Sequence, residues 1–320
     1  MVNSANKPPK FHHYVPRTYL KHWLDDNDLL YIYNKNNHTV KPSSIMGKYF
    51  GKNDLNTITY PDSTKGYWVE QAFADMEGTI SPALNKVATT KHKTSNDITY
   101  YDKLYVSMFV SMQYWRLPAN KDTIDEMIKS GSFATIHSSI RNSKTGQAVS
   151  KEDAKMFYDR MSKEDLFVKA YPLMLAVSKY LKKNAYDDLR YWHFYFQEPG
   201  FHITSDNPIL YINNGPTTDT VFIDFILPLS PSVLLISSKN PPKEISASLS
   251  SALNILQICH SNQFVAGQNK GFLETIAELY KENFADKPLK AVEQYVFNEI
   301  FQSSHEEIIP IRDNHRGDND

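Results

Sequence analysis

An α+β fold, a helical middle packed with a mostly antiparallel sheet in the C-terminal half, follows from three observations. Residues 67–87, YWVEQAFADMEGTISPALNKV, place Val69, Ala72, Phe73, Met76, Ile80, Ala83, Leu84 and Val87 at helical spacing, which makes one apolar stripe. Near residue 190 the character changes to short aromatic or β-branched runs parted by turn residues: YWHFYF, FHIT, ILYI, VFIDFILPL and VLLIS. Helical patterns return in ASLSSALNILQICHS and GFLETIAELYKENF, so helices and strands are segregated rather than regularly alternating.

Residues 1–10 read as a polar, disordered lead without the apolar core of a secretion signal. Residues 11–305 read as a single domain, its helical part at about 66–183 and its sheet-rich part at about 190–285, and residues 306–320 as a solvated tail. Pro16 suits the first turn of a short helix, PRTYLKHW, because its missing N–H has no partner there in any case. That helix should break at DDND. LLYIYNKNNHTVKP then has the pattern of a hairpin turning at Asn36 and Asn37, followed by irregular chain to about Lys65. After the amphipathic stripe, YDKLYVSMFVSMQYWRL is apolar almost all round and should be a buried helix ending at Pro118. Further helix is expected to about Lys183, with a polar interval near RNSKTGQAVSKED.

With 320 residues, 41% of them hydrophobic and 22% charged, a sizeable core is easily built. The formal net charge of -1 gives no global attraction to nucleic acid or membrane, so such binding would need a local patch. The lone cysteine, Cys259, excludes disulfide scaffolds and cysteine-rich zinc sites and suggests inert core. No apolar run reaches the roughly 18 residues of a membrane span, and a cytoplasmic location is the expectation. Neither a Gly-rich phosphate loop nor a His-Glu-x-x-His helix appears.

Three local constellations carry possible chemistry. His12 and His13 stand side by side, and Val15, preceding Pro16, favours extended geometry. His13 then shares a face with Phe11 and Val15, and His12 with Tyr14, so the pair should not clamp one metal together. The alternative reading is a histidine that only caps or hydrogen-bonds the following helix. Gln113 and Arg116 are one turn apart on the apolar helix, and a buried guanidinium needs an anion. Glu70 and Glu77, two turns apart along one margin of the stripe, would supply it if the two helices pack; a substrate phosphate or carboxylate is the other reading. Asp206 and Asn207 in ITSDNP stand at a strand end, either as a plain turn or as a metal- or water-orienting pair. LPLSP, residues 227–231, reads as structural, and the basic run SKYLKKN with Tyr180 and Tyr186 as a solvated helix end or a nucleic-acid contact.

In this order, HHYVP followed by YL, the Glu-bearing helix, the Gln-Arg pair, SDNP and PLSP resemble a bacterial family, domain of unknown function 4238, over roughly residues 11–270. The pattern falls on His12, His13, Tyr14, Val15, Pro16, Tyr19 and Leu20, on Glu77, Gln113 and Arg116, and on Ser205 to Pro208. Trp23 stands where members often have Phe, and Leu117 where they often have Thr, which removes a hydroxyl there. The resemblance marks the unexplained polar residues as one set, a composition suited to a pocket. The family carries no activity of its own, and the leading expectation from these residue types is a hydrolase of phosphodiesters, with a metal-dependent nuclease as its specific form. Asp206, Glu77 and His13 or His12 would hold a divalent cation (Mg2+, Mn2+ or Zn2+) or serve as base. Arg116 would meet the phosphoryl charge, and Gln113 and Asn207 would orient water or substrate. The alternatives are a non-catalytic module for a small anion, nucleotide or peptide, and a purely structural polar network.

Overall fold

The computed structural model describes residues 10–89, 97–129, 145–147, 150–161, 163–178, 180, 186–197, 200–211, 221–285 and 290–301. In chain order come β1 (Phe11–His13), α1 (Arg17–Leu20) with a 3-10 turn at Lys21–Trp23, β2 (Leu30–Asn34), β3 (Thr39–Ser43), β4 (Gly51–Asn53), β5 (Ile58–Thr59) and β6 (Lys65–Gly66). The helical middle holds α2 (Trp68–Thr89), α3 (Tyr100–Arg116), α4 (Lys121–Lys129), α5 (Lys151–Met161) and α6 (Asp165–Ser178). Then follow β7 (Trp192–Phe196), β8 (Thr204–Ser205), β9 (Leu210–Tyr211), β10 (Phe225–Ser230), β11 (Val233–Ser237), α7 (Ala247–His260), β12 (Phe264–Gly267), α8 (Lys270–Asn283) and α9 (Lys290–Phe301). The fold class is α+β.

Helix α3 is set by both its ends. Thr99 and Asp102 close a reciprocal capping box at its start, and Leu117 turns extended (ψ 133) ahead of Pro118. Ser111 donates from the buried face of α3 to the Ala176 carbonyl of α6 at 2.8 Å, a small side chain that lets the two helices pack closely. On α2 the expected stripe is buried at Val69, Phe73, Ile80, Ala83, Leu84 and Val87. These helices share the main core with Val15, Tyr19 and Trp23 and with Phe225, Leu227, Val233 and Leu235 of one sheet face.

The paired strands are antiparallel, and they form two four-stranded sheets, ordered β7-β11-β10-β9 and β3-β2-β12-β8, beside two short ribbons, β1-β4 and β5-β6. The far face of the first sheet, at Ile226, Leu234 and Ile236, packs on α7 and α9 through Leu249, Leu253, Val296 and Ile300. The second sheet packs on α7 and α8 through Tyr33, Val265, Ile255 and Leu273. Tyr19 joins the two sheets to α1: its hydroxyl donates to the Pro228 carbonyl at 2.6 Å and lies 2.7 Å from Thr204 Oγ1.

Several sequence expectations change. The hairpin forms with Asn36 and Asn37 at its turn, as expected, and His38 (φ 52) takes the positive φ that closes it. The C-terminal strands split between two sheets, and the N-terminal hairpin completes one of them. FHIT gives strand only from Thr204, and VFIDFILPL only from Phe225, after Asp224 (φ 52) interrupts the run. FVAG and residues 290–301 add a strand and a helix that the sequence reading left unassigned. Residues 1–9 of the polar lead, all of the C-terminal tail and much of RNSKTGQAVSKED lie outside the described residues. Among the described residues no helix is long and apolar enough to cross a membrane.

Candidate functional site

Extended backbone at β1 sends the two histidines to opposite sides. His13 meets Phe11 edge-to-face at 5.1 Å, and His12 turns toward Asn56 and α2. The opposing strand must come close: a Cβ on Gly51 would lie 2.4 Å from the Phe11 ring and 2.6 Å from the His12 carbonyl oxygen. His12 is fully buried, and its Nδ1 accepts the Asn56 backbone N–H at 3.0 Å, which puts the proton of the neutral ring on Nε2. The Asn56 side chain donates in turn to Glu70 Oε2 at 2.7 Å.

Arg116 stands at the end of α3, its side chain 2% exposed, and finds both glutamates of α2. Nη1 pairs with Glu77 Oε1, Nη2 lies 3.5 Å from Glu70 Oε2, and the guanidinium covers the Phe73 ring at 4.6 Å. The anion that Arg116 required is therefore supplied by the protein itself. The cluster reaches solvent through these carboxylates, each 17% exposed. Gln113, one turn back, donates Nε2–H to the Tyr14 carbonyl at 3.2 Å.

Among the described residues, four buried polar atoms in this neighbourhood find no partner: His13 Nε2, Arg17 Nε, Gln113 Oε1 and Arg116 Nε. Burial first, then the charges of Arg17 and Arg116, lower the His13 pKa to about 4, against a smaller opposing contribution from a Gly47 backbone bond. A backbone bond that raises the pKa is one the ring donates. It therefore involves Nδ1–H, and the lone pair sits on the unpartnered Nε2. Burial pushes the Glu77 carboxyl up, and the adjacent Arg116 pulls it back.

Asp206 and Asn207 belong to a different constellation. Asp206 Oδ1 accepts the N–H of Asn262 at 2.7 Å, and Oδ2 accepts those of Gln263 and Phe264 at 2.8 and 2.9 Å. Burial raises its pKa against these three donors and Lys35. Asn207 donates its N–H to Ser205 Oγ at 3.0 Å and its side-chain amide to the His260 carbonyl at 3.2 Å. Among the described residues no bond, ion pair or charge interaction joins Asp206 to His13, Glu77 or Arg116. Tyr14 stands between the two constellations. It feels the Asp206 charge, and its carbonyl holds Gln113.

The structure thus gathers His12, His13, Glu77, Gln113 and Arg116, and sets Asp206 and Asn207 apart. No group of three or more His, Cys, Asp or Glu side chains among the described residues is arranged to hold a metal ion, so Asp206, Glu77 and His13 make no such set. The chemistry agrees: His13 faces two cations, and both Asp206 oxygens are engaged by N–H donors. Two members of the cluster went unnoticed in the sequence. Arg17 is visible there only as the residue after VP. Asn56 sits in irregular chain without any distinguishing pattern.

Asp206→Asn is expected to cost about 2–3 kcal/mol, because an amide presents one of its own donors to N–H groups that need an acceptor. Were the segment a purely local turn, the change would be nearly free. Urea unfolding midpoints of the two proteins decide between these outcomes.

Residues 12–271 match the family described as Protein of unknown function (DUF4238), and the chain belongs to that family. No curated protein and no solved structure matches the chain.

Proposed function

We propose that the protein hydrolyses phosphodiesters without a metal at this cluster, with His13 as general base and Arg17 and Arg116 receiving the phosphoryl group. The observation that carries this reading is the unpartnered Nε2 of His13, a neutral imidazole lone pair buried beside two guanidinium charges. Burial first, and then those charges, make His13 a weak base. A bound phosphodiester offsets them and raises its pKa toward neutrality, where a general base works best. Nε2 then takes a proton from water as the water oxygen bonds to phosphorus. The ester P–O bond breaks, the leaving oxygen takes a proton from solvent, and the imidazolium returns its proton to solvent. Gln113 Oε1, the unpartnered acceptor, orients the water. A nucleic acid is the proposed natural substrate class, in the cytoplasm.

A second reading, a buried polar network without a ligand, is favoured by the two glutamates that already satisfy Arg116, and a non-catalytic module for a small anion stands beside it. The test is turnover of bis(p-nitrophenyl) phosphate in EDTA, beside calorimetry with inorganic phosphate. Turnover that persists in EDTA and falls about 100-fold or more in His13→Gln is the expected result. Phosphate binding without turnover selects the module. Neither signal leaves the cluster a structural network.

A further inference from the structure

The first turns of α3 carry aromatic surface that the core does not use. Tyr100, Tyr101 and Tyr105 are 53%, 71% and 36% exposed, whereas the same helix buries every side chain from Phe109 to Arg116. Single exposed aromatics need no explanation, but these belong to a connected row. Tyr180, whose hydroxyl lies 3.0 Å from Ser107 Oγ, packs against Tyr186 at 5.9 Å. Tyr186 meets Tyr100 edge-on at 6.4 Å, and Tyr100 meets Tyr101 in the same way at 6.0 Å. The row is anchored at its inner end and open to solvent at its outer end.

Cations stand beside it. A cleft of about 390 Å3 separates the start of α3 from the 3-10 turn at Asp187–Tyr191, and its lining includes Tyr100, Lys103, Tyr186, Asp187 and Arg190. Lys103 Nζ donates to the Trp192 carbonyl at 3.1 Å and reaches that of Leu189 at 3.5 Å, so neutral acceptors hold the ammonium in place. Burial alone lowers its pKa, with no carboxylate opposing the shift. The Arg190 guanidinium lies over the Tyr191 ring at 4.8 Å, and among the described residues it makes no ion pair. Asp187 is the one acid in the lining, against two cations, so the cleft keeps a positive charge.

We propose that this face binds single-stranded nucleic acid, with unpaired bases stacked on Tyr100, Tyr101 and Tyr105 and backbone phosphates at Lys103 and Arg190. The occupant follows from flat rings set beside uncompensated cations: every base has a π-face that stacks on tyrosine, and every phosphate carries the charge the cleft lacks. A duplex keeps those faces within its own stack. A free mononucleotide would fill the cleft but leave Tyr101 and Tyr105 unused, since both lie outside its lining. The inference rests on the reading of nucleic acid as the substrate and gives that substrate a holding surface. Tyr100 and Arg116 stand at opposite ends of α3, about 24 Å apart at 1.5 Å per residue, so the strand is gripped well away from the His–Arg cluster.

The test is fluorescence anisotropy of the full chain with a labelled 20-nucleotide oligothymidylate, with its duplex, and with AMP as competitor. Initial anisotropy reports binding without turnover, so this result stands or falls apart from the assay with bis(p-nitrophenyl) phosphate. The single strand should bind about tenfold or more tightly than the duplex. Tyr101→Ala, at an exposed position, should weaken it about tenfold, the loss of one base stack. Arg190→Ala should lower the slope of log affinity against log salt by about 0.7, the loss of one single-strand phosphate contact. Both variants should keep the wild-type melting curve. Absence of oligothymidylate binding overturns the proposal, as does a duplex that binds as tightly as the single strand. Wild-type affinity in Tyr101→Ala or an unchanged salt slope in Arg190→Ala overturns it too. AMP that binds as tightly as the oligonucleotide also overturns it, because the cleft would then be a mononucleotide pocket.

Discussion

Arg116→Ala is expected to lower the unfolding free energy by about 3–5 kcal/mol, the usual loss when one side of a buried ion pair is removed. The change strands two carboxylates, because Glu70 and Glu77 both lean on the same guanidinium, and it uncovers the Phe73 ring. Arg116→Lys keeps the charge but not the planar fork, so it should recover part of the loss and only one of the two contacts. Neutralising the stranded groups provides the control. Arg116→Met combined with Glu77→Gln should be more stable than Arg116→Met alone, since the penalty comes largely from uncompensated charge. Urea unfolding of the four variants reads all of this. Wild-type stability in Arg116→Ala would remove the ion-pair network from the energetics of the helical core.

That pairing was legible in the sequence because helix geometry is local. Glu70 and Glu77 fall on one margin of the α2 stripe, and a lone Arg on an apolar helix demands an anion. The helices themselves were legible for the same reason. Strand partnership was not: β12 pairs with β2 across more than two hundred residues, and nothing in FVAG announces it. The start of FHIT lies outside the strand because its residues are fixed from outside the ladder, His202 N–H by the Pro231 carbonyl and Ile203 N–H by the Asn254 side chain. Asp206 is legible only in part. Its type suits a local turn, yet its oxygens hold backbone 56 to 58 residues away. The candidate site was legible as a list of residue types, but its division into two constellations depended on those long-range bonds.

Acidification should destabilise the protein through two histidines, His13 and His202. Burial lowers both to about 4, in His13 with help from Arg17, Arg116 and His12. His202 is 2% exposed and neither ring nitrogen has a partner among the described residues, so these offer nothing to a proton there. Their folded pKa values lie below the unfolded value of about 6.5. The stabilising contribution is therefore fully present above pH 6.5, where both states are neutral. It is lost as pH falls toward 4, because the unfolded chain binds the protons first. The linkage amounts to about 3 kcal/mol for His202 and, with allowance for solvent screening, roughly 2 kcal/mol for the less enclosed His13. Glu77 and Asp206, whose pKa values burial raises, act in the opposite sense in the carboxylate range and blunt the lower end of the loss. The measurement is the slope of unfolding free energy against pH between 6.5 and 4, for the wild type and for His13→Gln and His202→Gln. Each substitution should flatten the slope, and because only the slope is read, a constant cost of the substitution does not matter. Identical slopes in all three proteins would refute the assignment. Inorganic phosphate then separates the two histidines. If an anion seats between Arg17 and Arg116, it favours the protonated His13, so phosphate should flatten the wild-type slope and that of His202→Gln. It should leave the slope of His13→Gln unchanged, and phosphate that acts equally on all three proteins would be acting elsewhere.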